Sequence, residues 1–283
     1  MLKQDKGLKR DTKDKYYTCN KVVNDCIKTI ENNIKISKND LCIEPSAGNG
    51  AFIEMIKQKF ENYKFYDLEP EHEEIVKQDY LKLNIDEICK SENKKIHVIG
   101  NPPFGRQSSL AIKFIKKSCE YCESISFILP KSFKKDSMKK HFPLNFHMLY
   151  ECDLPENSFL VDDVMHDVPC IFQIWEKKTV KRSTPKKLTP KGFKFVGKKD
   201  NPDISFRRVG VKAGNISNEI ENKSEQSHYF IKFDEKPSNV LLEKISNIDF
   251  DCKNNTVGPK SISKQELIKE FIVIFSGDFT IGI

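Results

Sequence analysis

Up to about residue 178, short apolar runs alternate with stretches of helical spacing. Leu41-Cys42-Ile43-Glu44, residues 63–67 and Ile96-His97-Val98-Ile99-Gly100 have strand length and strand composition, and read as buried strands. Ala51-Phe52-Ile53-Glu54-Met55-Ile56 and Leu110-Ala111-Ile112-Lys113-Phe114-Ile115 return apolar side chains at helical intervals. The pattern predicts a helix near 19–35, a strand at 41–44, a helix at 51–60, and strands at 63–67 and near 75–80. A strand at 96–100, a helix from 110 and a strand at 124–129 follow. Strands alternating with helices predict an α/β fold with a doubly wound, mainly parallel sheet covered on both faces. Ligands of such sheets bind at the carboxyl ends of the strands.

The pattern breaks after Trp175. Between residues 177 and 199 there are ten Lys or Arg and no acid, with Pro185 and Pro190 interrupting any helix. A solvated, flexible linker accounts for that run, and the same charges would lie well on phosphates. Beyond it, residues 204–214 read as a strand and turn, 227–233 as a strand and 263–271 as a short helix. This region is polar and small, so a small α+β domain appended to the first is expected over 201–283, with 179–200 as the basic linker. Arg207, Arg208 and Lys212 are its candidate phosphate or base contacts, against an ordinary solvent face.

The chain carries 48 Lys and Arg against 41 Asp and Glu, a net charge of +7 that favours a polyanionic partner. No apolar stretch is long enough to span a membrane and no secretory leader stands at the front, so an intracellular protein is expected, in cytoplasm or nucleus. The nine cysteines are scattered and odd in number; Cys42, Cys152 and Cys170 lie in apolar runs and read as small hydrophobes of a reducing compartment. Cys119-Glu120-Tyr121-Cys122 has no second pair or histidine spacing to make a zinc site, and no metal is expected.

Candidate chemistry lies at the strand ends. Asn101-Pro102-Pro103-Phe104 follows the strand at 96–100, and two prolines in succession make the turn stiff and remove two donors. Asn101 offers a side-chain carbonyl and the proline pair a backbone one; two converging acceptors beside the Phe104 ring suit a planar amine such as the amino group of adenine. Taken alone, the same tetrapeptide reads as an ordinary turn whose Asn caps backbone. Upstream, Glu44-Pro45-Ser46-Ala47-Gly48-Asn49-Gly50 joins strand to helix with small residues that let a ligand approach. It is neither a phosphate loop nor a dinucleotide fingerprint, and its leading acid favours a ligand with a cationic or hydroxyl-bearing end. Asp67, with Glu69 as the alternative, stands where a ribose would be gripped. Asp79 stands where it would accept from an adenine amino group while Tyr80 or Leu81 packs the ring. Singly, each of these acids reads as a cap or a solvated charge.

Together these residues resemble the S-adenosylmethionine-dependent, adenine-specific N6-methyltransferases. Residues 44–50 look like their cofactor loop, Asp67 and Asp79 like the ribose and adenine contacts, and Asn101-Pro102-Pro103-Phe104 like their catalytic Asn-Pro-Pro-Tyr/Phe motif. Asp14-Lys15-Tyr16-Tyr17-Thr18 resembles the segment that closes over the methionine end, and residues 167–175 the late strand beside the target base. The resemblance covers roughly 10–178, with a recognition region following. It implies a Rossmann-like methyltransferase domain at 1–178 and a target-recognition domain at 201–283. The implied catalytic residues are Asn101, Pro102, Pro103 and Phe104, where Phe replaces the commoner Tyr and keeps the stacking face. The implied cofactor set is Tyr17, Thr18, Glu44, Pro45, Ala47, Gly48, Gly50, Asp67, Leu68, Asp79, Tyr80 and Asn101. Phe104 and Phe159 are the implied stacking faces, although Phe159 reads more readily as a buried core residue, and Arg207 and Arg208 remain the candidate substrate contacts of the appended domain. The expected reaction is methyl transfer to adenine N6 in DNA, with restriction-modification as one setting. RNA is the nearest alternative; a protein glutamine, or a non-catalytic nucleic-acid-binding subunit, are further ones. Whether the substrate is single- or double-stranded stays open.

Overall fold

Neighbouring residues of the central strands point to opposite sides, and this places an apolar core on each face of the main sheet. In the computed structural model, which describes residues 15–84, 86 and 94–276, the chain forms two units, 1–184 and 185–283. Asp14 lies outside the described residues. The first unit runs β1 (Tyr17–Thr18), α1 (Asn20–Asn33), β2 (Leu41–Glu44), α2 (Ile53–Lys59), β3 (Asn62–Asp67), β4 (Val76–Lys77) and β5 (Ile96–Gly100). It continues with α3 (Ser109–Cys119), β6 (Ser124–Pro130), α4 (Asp136–Lys139), β7 (Phe146–Asp153), β8 (Phe159–Val161), β9 (Val164–His166) and β10 (Cys170–Lys177).

Seven strands form one sheet in the order β4-β3-β2-β5-β6-β10-β7. The pairings among β4, β3, β2, β5 and β6 are parallel; β10 is antiparallel to both β6 and β7. Cys42 joins one core with Val22, Val23, Cys26, Ile27 and Ile30 of α1 and Ile53 and Ile56 of α2. Its neighbours Leu41 and Ile43 join the other, with Ala111, Phe114 and Ile115 of α3. Burial of each such side chain stabilises the fold by roughly 1.5–3 kcal/mol. The doubly wound α/β sheet is therefore as the alternation predicts. The expected strand near 75–80 is shorter: after Lys77 the chain turns into a single 3₁₀ turn, Tyr80–Lys82. A sealed line runs from Ser124 Oγ to His97 Nδ1 (2.7 Å) and from His97 Nε2 to Asp40 (3.3 Å); burial lowers the His97 pKa, and the line ties β5 to its neighbours.

Strand order reverses between β2 and β5, so the segments leaving their carboxyl ends diverge and open a crevice. Residues 44–50 follow β2 and residues 101–104 follow β5. A small antiparallel sheet, β1-β8-β9, adds Tyr17 and Thr18 beside that crevice. The β8–β9 turn has Asp162 and Asp163 at φ 48° and 62°, as a two-residue hairpin turn requires.

The second unit contains β11 (Phe193–Val196), β12 (Ile204–Arg207), β13 (Ile216–Ser217), β14 (His228–Phe233), α5 (Asn239–Ser246) and α6 (Lys264–Ser276). Its antiparallel sheet has the order β11-β14-β12-β13. The structure departs from the sequence expectation here. Phe193–Val196, inside the stretch read as linker, is an edge strand paired with β14, because Phe193 and Phe195 supply apolar faces among the lysines. The unit also has a core of its own, in which Phe193, Phe206, Ile231, Phe233, Phe250, Leu267 and Phe271 are buried. Among the described residues no helix is long and apolar enough to cross a membrane, and the eight described cysteines are free thiols.

Candidate active site

The crevice holds a cavity of about 520 Å³. Its walls come from the β1 segment, the loop after β2, the ends of β3 and β4, the turn after β5, and the first turns of α3. The sequence-predicted residues Tyr17, Thr18, Glu44, Pro45, Ala47, Gly48, Asp67, Leu68, Asp79, Tyr80, Asn101, Pro102, Pro103 and Phe104 all line it. Gly50 does not line the cavity but shapes the loop behind it. Its φ is +84°, and an added Cβ would come within 2.8 Å of Ile53 Cδ1 and 3.2 Å of His72. Gly48, at φ +56°, lies under the Tyr17 ring, where a Cβ would come within 3.1 Å.

Asn101 is held from both ends. Its Nδ2 donates to the Tyr16 carbonyl (3.2 Å) and to Thr18 Oγ1 (3.3 Å), while its backbone carbonyl accepts from Ser46 Oγ (3.2 Å). A backbone carbonyl can only accept, so the Tyr16 contact decides which end of the amide is nitrogen. The other end, Oδ1, is left buried with no partner. Among the described residues three buried side-chain oxygens lack a partner, and two of them, Asn101 Oδ1 and Glu44 Oε2, belong to this cavity. Leaving such an acceptor unmade costs about 1–3 kcal/mol, and a ligand bearing a donor relieves it.

Glu44 is 2% exposed. Burial, and secondarily the charge of Asp67, push its carboxyl up to about 8. Asp67 has a different environment: Oδ2 accepts from the Gly48 amide (2.9 Å) and Oδ1 from the Glu69 amide (2.8 Å). It therefore braces the loop first, and each oxygen keeps a further lone pair for a ligand hydroxyl. Asp79 caps its 3₁₀ turn through the Leu81 amide (3.1 Å), so the helix-cap reading of this acid holds alongside its place in the wall. Tyr80 is buried, stacked on Phe114 at 5.2 Å, and its hydroxyl is bonded to Ser118 and Tyr121. It makes a rigid floor.

One expected substrate contact is placed otherwise. Phe159 is 1% exposed, sits in the core opposite Thr18 and packs edge-on against Tyr16 at 6.3 Å; it does not line the cavity. The sequence reading of Phe159 as a stacking face is corrected to that of a core residue, because its position in β8 points it inward. Arg207, in the second unit, has its guanidinium engaged by the Val209 carbonyl (2.8 Å) and Ser227 Oγ (3.3 Å), which brace the turn after β12. Arg208 lies with its guanidinium 5.3 Å from the Tyr229 ring centre.

Several wall residues carry no role that the sequence assigns. Ser46 ties the loop after β2 to the turn after β5, and Leu110 and Phe114 are legible only as helix-spaced apolar positions. Glu71 accepts from both Lys15 Nζ and Tyr17 Oη at 2.6 Å, with Glu69 3.3 Å from the same ammonium. These contacts strap the 15–18 segment across the cavity mouth. Glu71 holds Lys15 above the ordinary lysine range, and burial, then Glu71, push Tyr17 up to about 12. The strap keeps its protons through neutral pH. Glu71→Gln is expected to weaken a ligand under the strap by about threefold to tenfold at low salt, less at high salt, with turnover unchanged. Titration calorimetry at two salt concentrations checks this; an effect confined to turnover would contradict the strap. Among the described residues no group of three or more His, Cys, Asp or Glu is arranged to hold a metal ion.

A family model described as an EDM2 methyltransferase-like domain matches residues 35–180. Ribosomal RNA small subunit methyltransferase A of Borreliella burgdorferi (strain ZS7) is 24% identical over 252 residues, covering 81% of this chain and 85% of that protein. Solved structures with partial likeness include a type I restriction-modification system methyltransferase subunit from Streptococcus thermophilus. That chain is 14% identical, with 57% of this chain and 45% of that one covered and a TM-score of 0.43. The 23S rRNA methyltransferase ErmE is 12% identical, with 59% and 71% covered and a TM-score of 0.43. This chain spans less than half of the restriction-modification subunit it matches.

Proposed function

This chain belongs to the EDM2 methyltransferase-like domain family, and from that premise we propose that it transfers a methyl group to the N6 amino group of adenine in DNA. S-adenosylmethionine is the cofactor; when bound, it supplies a methyl group made electrophilic by the sulfonium. The cavity suits it on three counts. Glu44 Oε2 is an unmet acceptor for a cationic end, Gly48 leaves room beneath the strap, and Asp67 and Asp79 offer acceptors to ribose hydroxyls and a ring amine.

The observation that carries the reading is the buried, partnerless Oδ1 of Asn101 in a cavity that Phe104 also lines. An acceptor already fixed by two donations at its other end takes a hydrogen bond from an N–H without reorganising. As the amine nitrogen bonds to the methyl group it gains positive charge, and Asn101 Oδ1, with the Pro102 carbonyl, stabilises that charge. The same bonds aim the nitrogen lone pair along the line of attack. Phe104 stacks on the base, which has left its helix or was never paired. The nitrogen's proton goes to solvent after transfer, and no covalent link to the protein forms.

RNA is the second reading, and one observation favours it: the likeness to a ribosomal RNA methyltransferase extends over 81% of the chain. The test is transfer of labelled methyl from S-adenosylmethionine to unmethylated DNA and to RNA in parallel, with nucleoside analysis of each product. N6-methyladenine in DNA is the expected product. The same nucleoside confined to RNA would replace DNA as substrate, and label on protein glutamine would overturn the adenine assignment.

A further inference from the structure

Phe195 on β11 and Tyr229 on β14 are half-buried rings, set edge to face at 5.5 Å. Two cations share them. The Arg208 guanidinium lies 5.3 Å from the Tyr229 ring centre; Lys264 Nζ lies 5.6 Å from the same centre and 4.6 Å from that of Phe195. The nearby acid is Glu266, whose carboxylate accepts the Ser263 amide (2.7 Å) while Ser263 Oγ accepts the Glu266 amide (3.3 Å). That pair caps α6, and Lys264 is the first residue of α6, the end at which the helix dipole disfavours a cation.

Cation–π attraction explains one positive group on a ring. Two like charges converging on one ring, the second at the unfavourable end of a helix, form a site whose electrostatics are completed by an anion. The rings are also held still. Tyr229 Oη donates to the Ile262 carbonyl (3.3 Å), the Arg208 amide donates to the Ser227 carbonyl (3.0 Å), and the Ile262 amide donates to the Arg208 carbonyl (2.9 Å). A fixed aromatic platform with two cations over it matches the chemistry of a nucleotide in a single strand, whose base presents a face and whose phosphate presents the charge.

We propose that Tyr229 and Phe195, with Arg208 and Lys264, form a contact for unpaired nucleic acid, the base stacking on the rings and the flanking phosphate taken by the two cations. The proposal rests on the reading of the substrate as nucleic acid and names the strand state and the residues that grip it.

The test uses the full chain without cofactor and a labelled single-stranded oligonucleotide, as DNA and as RNA, with binding followed by fluorescence anisotropy at several salt concentrations. Lys264→Gln and Arg208→Gln are each expected to lower affinity severalfold and to reduce the salt slope by about one. Tyr229→Leu is expected to cost roughly tenfold, and Tyr229→Phe, which keeps the ring, very little. Circular dichroism and thermal melting check that each variant folds; if Tyr229→Leu does not, the two cation variants decide. Unchanged binding by Lys264→Gln and Arg208→Gln overturns the platform, as does tighter binding of duplex than of single strand. An Asn101→Ala protein separates this from the catalytic reading: it is expected to bind the strand normally while its turnover falls by about 10²–10³-fold or more. If it transfers at the wild-type rate, the catalytic assignment fails while the platform stands.

Discussion

Asn101→Ala is expected to lower turnover by about 10²–10³-fold or more, the scale on which removing one preorganised group from a developing charge acts. Cofactor affinity should change only severalfold, through loss of the Nδ2 bonds to Tyr16 and Thr18 that steady the strap. Stability should hardly move. The substitution removes two hydrogen bonds of about 0.5–1.5 kcal/mol each, and it also removes a buried acceptor that costs about 1–3 kcal/mol while unmet. The two nearly offset each other, so a preserved melting temperature with lost turnover is the signature. Asn101→Asp sharpens the test. It keeps an acceptor at Oδ1 but sets a second acceptor against the Tyr16 carbonyl, so it should lose affinity as well as turnover. Single-turnover transfer of labelled methyl, with calorimetric binding of cofactor alongside, checks all three outcomes. Wild-type turnover in Asn101→Ala would end the catalytic assignment.

Glu44 makes the other large effect, and its sign differs between stability and binding. Its carboxyl has an ordinary value of 4.5 and is pushed up to about 8 by burial, then by Asp67. Below the lower value both folded and unfolded chains hold the proton, and this group adds no pH dependence. Between the two, the folded chain keeps a proton that the unfolded chain has released. Stability therefore falls as pH rises, by up to about 1.4 kcal/mol per pH unit, and levels above the folded value. Glu44→Gln has no such proton to lose. It should match the wild type near pH 5 and exceed it by a few kcal/mol near pH 9, read from denaturant melts. Binding runs the other way. A cationic ligand end pairs with the ionised carboxylate, so cofactor affinity of the wild type should climb from pH 6 to 7.5, approaching tenfold per unit. Glu44→Gln should bind weakly and without that slope. Calorimetry in two buffers of different ionisation enthalpy should find nearly one proton released per cofactor bound at pH 6.5. A pH-independent gap between the two proteins, in melts and in binding, would show that Glu44 is not the titrating group.

Much of this site is legible along the chain because its parts are local. The run into Glu44, the glycines after it, and the two prolines after Asn101 each dictate a strand end and the turn that follows. Tyr17, Thr18, Asp67 and Asp79 then fall into place through one topological rule, that parallel strands present their carboxyl ends together. Phe159 was not legible in this way. The sequence favours a core for this phenylalanine but leaves a base pocket open, and its pairing opposite Thr18 decides for the core. Phe193 and Phe195 were hidden for the converse reason. Ten basic residues without an acid describe solvent exposure on average, yet two rings spaced by one residue suffice for a strand edge.

What the sequence determined by itself is the alternation that builds the sheet and the identity of the groups at its strand ends, because strand period and turn chemistry act over a few residues. Tertiary structure alone decided which of those groups are left unmet. Asp67 is drawn into bracing Gly48 and Glu69, whereas Asn101 Oδ1 and Glu44 Oε2 are sealed without partners. It also decided that Glu71, with no motif around it, straps Lys15 and Tyr17 across the mouth. The physical reason is that hydrogen-bond satisfaction and desolvation depend on every group within reach in space, and those groups come from segments far apart in the chain.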